Sequence, residues 1–155
     1  MTNFIAQNNE IILRLLAAVG FGMLIGAERI FVHKEAGMKT HALVSMGAAV
    51  FILISEAVSE KYVNFPGLNP TMMASQIIVG IGFLGAGSIM LQGSKLKGLT
   101  TAGGLWVTAG IGVAAGFGLF SIAFISTILV LMIFILINIF ENPLRKMSDD
   151  MDKDN

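Results

Sequence analysis

Residues 98–140 carry no charged side chain. Wound as helix, a run of that length is about 65 Å long, roughly twice the hydrocarbon thickness of a bilayer. A 155-residue chain has no core large enough to bury it. The run must therefore cross a membrane at least twice, folding back near Gly116-Phe117-Gly118. Every other residue is then read with lipid as the solvent.

The rest of the composition fits that reading. With 55% hydrophobic residues there is room for four or five helices and short loops, without a separate soluble domain. Lys and Arg number 10 and so do Asp and Glu, so zero net charge implies no nucleic-acid partner. Cysteine is absent, which excludes disulfides and thiol chemistry. Met1 to Glu10 holds no Lys or Arg, so the first hydrophobic segment is expected to be retained rather than cleaved as a signal peptide.

Five segments read as spans: Ile11–Ala27, Ala42–Val58, Ala74–Leu91, Thr100–Gly118 and Phe120–Phe140. The first three are short for a 30 Å core. Glu28-Arg29 stops the first, Pro66-Gly67 and Asn69-Pro70 mark a turn-rich loop, and Gln92-Gly93-Ser94-Lys95 stops the third. Arg29, Lys34, Lys39, Lys95, Lys97, Arg145, Lys146 and Lys153 fall on one side, with Arg14 and Lys61 on the other. That bias predicts an external N-terminus and a cytoplasmic C-terminus. The expected fold is an all-α bundle of five spans over 1–140, followed by a short acidic, disordered tail over 141–155.

Eighteen glycines suggest close helix packing, since small residues let backbones approach in lipid. Gly22 and Gly26 share a stripe on span one, as do Gly104 and Gly112 on span four; span three adds Gly80, Gly82, Gly85 and Gly87. These three spans are expected to form the tight centre, with span five at the periphery. Gly80–Gly85 also matches G-x-G-x-x-G, but it lacks the strand, the crossover unit and the acidic residue a nucleotide site needs. Helix packing is the preferred reading.

Four ordered blocks together are more specific than any glycine pattern. Arg14-Leu-Leu-Ala-Ala leads to Gly22-Met-Leu-Ile-Gly26-Ala-Glu28-Arg29, and Gly37-Met-Lys-Thr40-His41-Ala-Leu-Val follows. Then come Gln76-Ile-Ile-Val-Gly80-Ile-Gly-Phe-Leu-Gly85-Ala-Gly87 and Gly98-Leu-Thr100-Thr101-Ala-Gly-Gly-Leu-Trp106. This series resembles the MgtC/SapB membrane domain. The resemblance implies a five-helix protein of the bacterial inner membrane linked to growth in low magnesium. It also implies a link to survival in macrophages for some members, and restraint of the rotary ATP synthase. Family members are generally not held to transport magnesium themselves. Larger members continue into a cytoplasmic C-terminal domain, whereas this chain ends soon after Phe140, so functions of that domain do not carry over.

Polar groups inside spans are costly, and each is a site candidate. Arg14 either snorkels to the headgroups or meets Glu56 at the same membrane level. Glu28 shares a face with Arg14 but lies at the opposite end of span one. Gln76 and Asn138 are expected to bond between helices. On the Lys-rich side, Thr40 and Thr100 read as N-caps of spans two and four. Lys39, Thr40, His41, Lys97, Thr100 and Thr101, with Arg29 adjacent, would then frame an anion site at two helix N-termini. Ordinary capping and positive-inside charge explain the same residues more simply. A homodimer would bring two such pockets together. His33 and His41 have no third ligand nearby, so neither a metal nor a cofactor is expected.

Three function classes remain. A regulatory protein that binds another membrane complex or a lipid is preferred. A small transporter or channel is the alternative, although Glu56 is the one carboxylate that the predicted spans offer as an ion ligand. An enzyme is not expected, because no nucleophile–base pair is visible.

Overall fold

The computed structural model describes residues 8–62 and 69–153, with side chains through Phe140. Pro66 and Gly67 lie outside the described residues. Five helices are long and apolar enough to cross a membrane: α1 Asn9–Phe31, α2 Met38–Lys61, α3 Pro70–Gly87, α4 Leu99–Gly116 and α5 Phe120–Lys153. Between α3 and α4 stands a hairpin of β1, Met90–Gln92, and β2, Lys95–Lys97.

The number and order of spans agree with the sequence, but several boundaries move. At 23 and 24 residues, α1 and α2 reach about 35 Å and are not short. Glu28 and Arg29 therefore lie inside α1 rather than beyond it. Span three begins earlier, because Asn69 caps it, and ends at Gly87. The Asn69 Oδ1 accepts from the Thr71 backbone N–H at 2.9 Å, and Pro70 occupies the first helical position. At the far end the helix α5 extends to Lys153.

Two turns share one stop mechanism. At the end of α1 the N–H of Lys34 donates to the Arg29 carbonyl at 2.9 Å and that of His33 to Ile30 at 3.0 Å. At the end of α4 Leu119 donates to Ala114 at 2.8 Å and Gly118 to Ala115 at 3.0 Å. Both are Schellman closures, which place one residue in the left-handed region. Gly118 does so at φ 72°; His33 does so at φ 55° although it carries a Cβ.

Helix α4 is the axis of the bundle. It packs against all four other helices, and 56% of its span is buried against 11% for α3. The core around it mixes alanine with β-branched residues: Ala18 and Ile25 of α1, Ala49 of α2, Ile111, Ala114 and Ala115 of α4, and Ala123 and Val130 of α5. In lipid there is no hydrophobic gain from moving a side chain inward, so close contact must supply the attraction.

The glycines make that contact possible. A methyl at Gly112 would fall 2.1 Å from the Ser45 carbonyl oxygen, and one at Gly116 would fall 2.9 Å from the Ala49 Cα. One at Gly22 would lie 2.5 Å from the His41 carbonyl oxygen, and one at Gly26 2.5 Å from the Met38 Cα. The tight centre is therefore α1, α2 and α4, not α1, α3 and α4. Gly80, Gly82 and Gly87 have open space where a Cβ would stand, so no other described residue of the chain packs on them there; Gly85 makes ordinary contact with Ala102. Glycine spacing marks a helix face that a neighbour can approach. It does not say that one does.

Candidate functional site

At one end of the bundle, α1, α2, α4 and α5 enclose a polar centre. Glu28 and Arg29 end α1's last turns inside it, only 9% and 3% exposed. The Arg29 Nε donates to the Glu28 carboxylate, and its guanidinium carbon sits 3.6 Å from the centre of the Phe134 ring on α5. That stacking suits a planar, weakly hydrated cation in a place without water. The pair as a whole is neutral, which lowers the cost of burying it.

His41 on α2 completes the cluster. It is fully buried, and its Nδ1 lies 3.0 Å from the Gly37 carbonyl oxygen. That carbonyl can only accept, so Nδ1 carries a proton, and in the neutral imidazole Nε2 then presents its lone pair. Nε2 points toward Gly104 of α4, 3.5 Å from where a Cβ would stand. Ser45 follows one turn later on the same face and is also fully buried. Among the described residues, Glu28 Oε1, His41 Nε2 and Ser45 Oγ have no hydrogen-bond partner. These three buried polar atoms, one of them a hydroxyl that can donate as well as accept, gather near one bundle end.

A second cluster lies at the opposite end. Arg14 of α1 donates to Glu56 of α2 at 2.5 Å, to the Gly116 carbonyl of α4 at 2.8 Å and to Glu10 one turn before it. Of the two readings open for Arg14, the structure takes the internal partner. One guanidinium thus ties α1 to α2 and to the end of α4.

The residues proposed for an anion site separate into two groups. His41 and Thr101 are buried, whereas Lys39, Thr40, Lys97 and Thr100 are exposed. Arg29 faces Phe134 and Glu28 inside the bundle. Thr40 and Thr100 are not N-caps: Gly37 and Gly98 hold those positions, and the threonines sit in the first turns. Both caps are glycines that follow a tight turn, where a Cβ would meet Ile30 or Ser88. Gln76 lines an apolar groove of about 460 Å³ between α2 and α3 and makes no hydrogen bond among the described residues. Sequence reasoning passed over Ser45 and Phe134. Ser45 was signalled by its spacing from His41, four residues on a helix; Phe134 stands in an apolar run with nothing to mark it.

Taken together, the fold and its two ion-paired clusters define a multi-pass membrane protein with helical spans and charges buried between them. Residues 15–143 match the model of the MgtC family, and the chain belongs to that family. It is 50% identical over 120 residues to Protein MgtC of Salmonella typhimurium strain LT2, covering 77% of this chain and 49% of that one. It is 43% identical over 117 residues to Protein MgtC of Brucella abortus, covering 76% and 47%. Against the Escherichia coli K12 protein described as putative magnesium transporter YhiD it is 39% identical over 127 residues, covering 80% and 59%. The chain spans about half the length of the curated relatives it matches. No solved structure matches this fold.

Proposed function

We propose that this protein serves adaptation to magnesium limitation from the bacterial inner membrane, by binding another membrane complex rather than by conducting an ion. The N-terminus is external and the C-terminus cytoplasmic, following the distribution of Lys and Arg. The observation that supports the reading is how the intramembrane charges are used. A divalent cation path needs several oxygen ligands turned toward it. Here Glu28 is held by Arg29, and Glu56 by Arg14. The carboxylates act as internal ties between or along helices.

The partner implied by the family resemblance is the rotary ATP synthase. Inverted membrane vesicles from magnesium-limited cells test this directly. Expression of the protein should lower ATP-driven proton pumping, and ATP synthase subunits should co-purify with the tagged chain. Unchanged pumping with no co-purification would overturn the partner. A transport reading is favoured by one observation, the name of the Escherichia coli relative, putative magnesium transporter YhiD.

A further inference from the structure

The β1–β2 hairpin is a two-faced device whose position is set by the helices on either side. Helices α3 and α4 have 18 residues each, about 27 Å of helix, slightly less than a 30 Å hydrocarbon core. Only Ser88 and Ile89 separate Gly87 from β1, and only Gly98 separates β2 from Leu99. The base is pinched shut, since a Cβ on Gly98 would stand 1.9 Å from the Ser88 carbonyl oxygen. Gly98 takes φ 92°, as the close approach requires. The hairpin therefore starts at the acyl boundary with no slack, and its strands of three residues are about 10 Å long.

The register sorts its side chains. Met90 faces Lys97, Leu91 faces Leu96 and Gln92 faces Lys95. Directly opposed residues share a face and successive residues alternate. Leu91 and Leu96 thus form one face, and Gln92, Lys95 and Lys97 with Met90 form the other. Every strand residue is exposed, with Leu91 at 71% and Leu96 at 60%, so the leucine face does not rest on the bundle. A two-stranded hairpin this short is marginal in water without something to cover one face. The hairpin and the helices on either side of it carry no acidic residue, because no Asp or Glu occurs between Glu60 and Glu141. Among the described residues, neither lysine forms an ion pair.

We propose that the hairpin is an interfacial anchor seated on anionic lipid. Leu91 and Leu96 enter the acyl boundary, and Lys95 and Lys97 reach back to anionic headgroups. It is the strand counterpart of an amphipathic helix lying in the interface. The proposal does not depend on which complex the protein binds. The lipid leaflet, and not a protein partner, is its occupant, because the neighbouring spans place it there and the charges match.

The absence of cysteine makes the test clean. Single-cysteine variants Leu91→Cys, Leu96→Cys and Gln92→Cys of the full chain are labelled with an environment-sensitive fluorophore. They are reconstituted in nanodiscs of phosphatidylglycerol or of phosphatidylcholine. In the anionic discs, labels at 91 and 96 should be quenched by shallow spin-labelled lipid and shielded from aqueous iodide, while the label at 92 should show the reverse. The lipid quenching should weaken in phosphatidylcholine, and in the anionic discs when Lys95→Gln and Lys97→Gln are added. Iodide quenching at 91 and 96 equal to that at 92 would overturn the anchor. So would shielding from iodide without lipid quenching, which would mean that protein covers the face. Lipid quenching that is identical in both lipids and indifferent to the lysine changes would overturn the headgroup contact.

Discussion

A residue with a Cβ in the left-handed region costs roughly 1–2 kcal/mol, because the Cβ crowds the following carbonyl. His33 pays that penalty at the Schellman closure of α1, where glycine fits without strain. His33→Gly should raise the thermal unfolding temperature in detergent, by an amount equivalent to about 1 kcal/mol; an unchanged or lower value would show that the side chain is held by something else. Arg29 presents the opposite case. Arg29→Met strands the Glu28 carboxylate inside the bundle and should cost about 3–5 kcal/mol. Adding Glu28→Gln should recover much of the loss, read as unfolding temperature against the single variant. Failure of the second change to help would mean that Arg29 matters for its stacking on Phe134 and not for its charge. In the sequence, Glu28 and Arg29 are legible as expensive groups, but their pairing is not. Neighbours on a helix point about 100° apart, and spacing rules connect residues three or four apart. Arg14 and Glu56 could be matched because both fall at the same membrane level.

At the scale of elements, the glycine stripes separate what spacing encodes from what it leaves open. Gly104, Gly112 and Gly116 at intervals of four or eight do mark the face of α4 that meets α2 and α5. The denser run on α3 reads more strongly, yet most of it faces outward. Whether a helix is central depends on how the loops arrange the bundle, and α3 enters it through a loop and leaves by a hairpin. Gly112→Leu should therefore abolish folded protein or lower its unfolding temperature sharply, since even a Cβ overlaps the Ser45 carbonyl. Gly82→Leu should leave the unfolding temperature near that of the parent. Equal tolerance at both positions would contradict the packing described for α4. The hairpin itself was hidden for a different reason. Gln92-Gly93-Ser94-Lys95 is visible as a helix stop, with Gly93 supplying the positive φ of the turn. Strands of three residues are too short to show an alternating pattern.

For the whole molecule, the charge-free run and the family blocks carried most of the architecture: five spans, all helical, in the expected order. What they did not carry is the use of the interior. Two ion-paired clusters, one at each end, join α1 to its neighbours, and alanines with β-branched residues fill the space between them. Glu28 and Glu56, the carboxylates in those clusters that lie within the spans, are each paired with an arginine. The measurement that bears most directly on this account is magnesium entry into sealed liposomes holding the purified chain alone and a magnesium-sensitive dye. The account predicts uptake equal to that of protein-free liposomes, with or without an imposed membrane potential. Saturable uptake that scales with the amount of protein and falls in Glu56→Gln would contradict it.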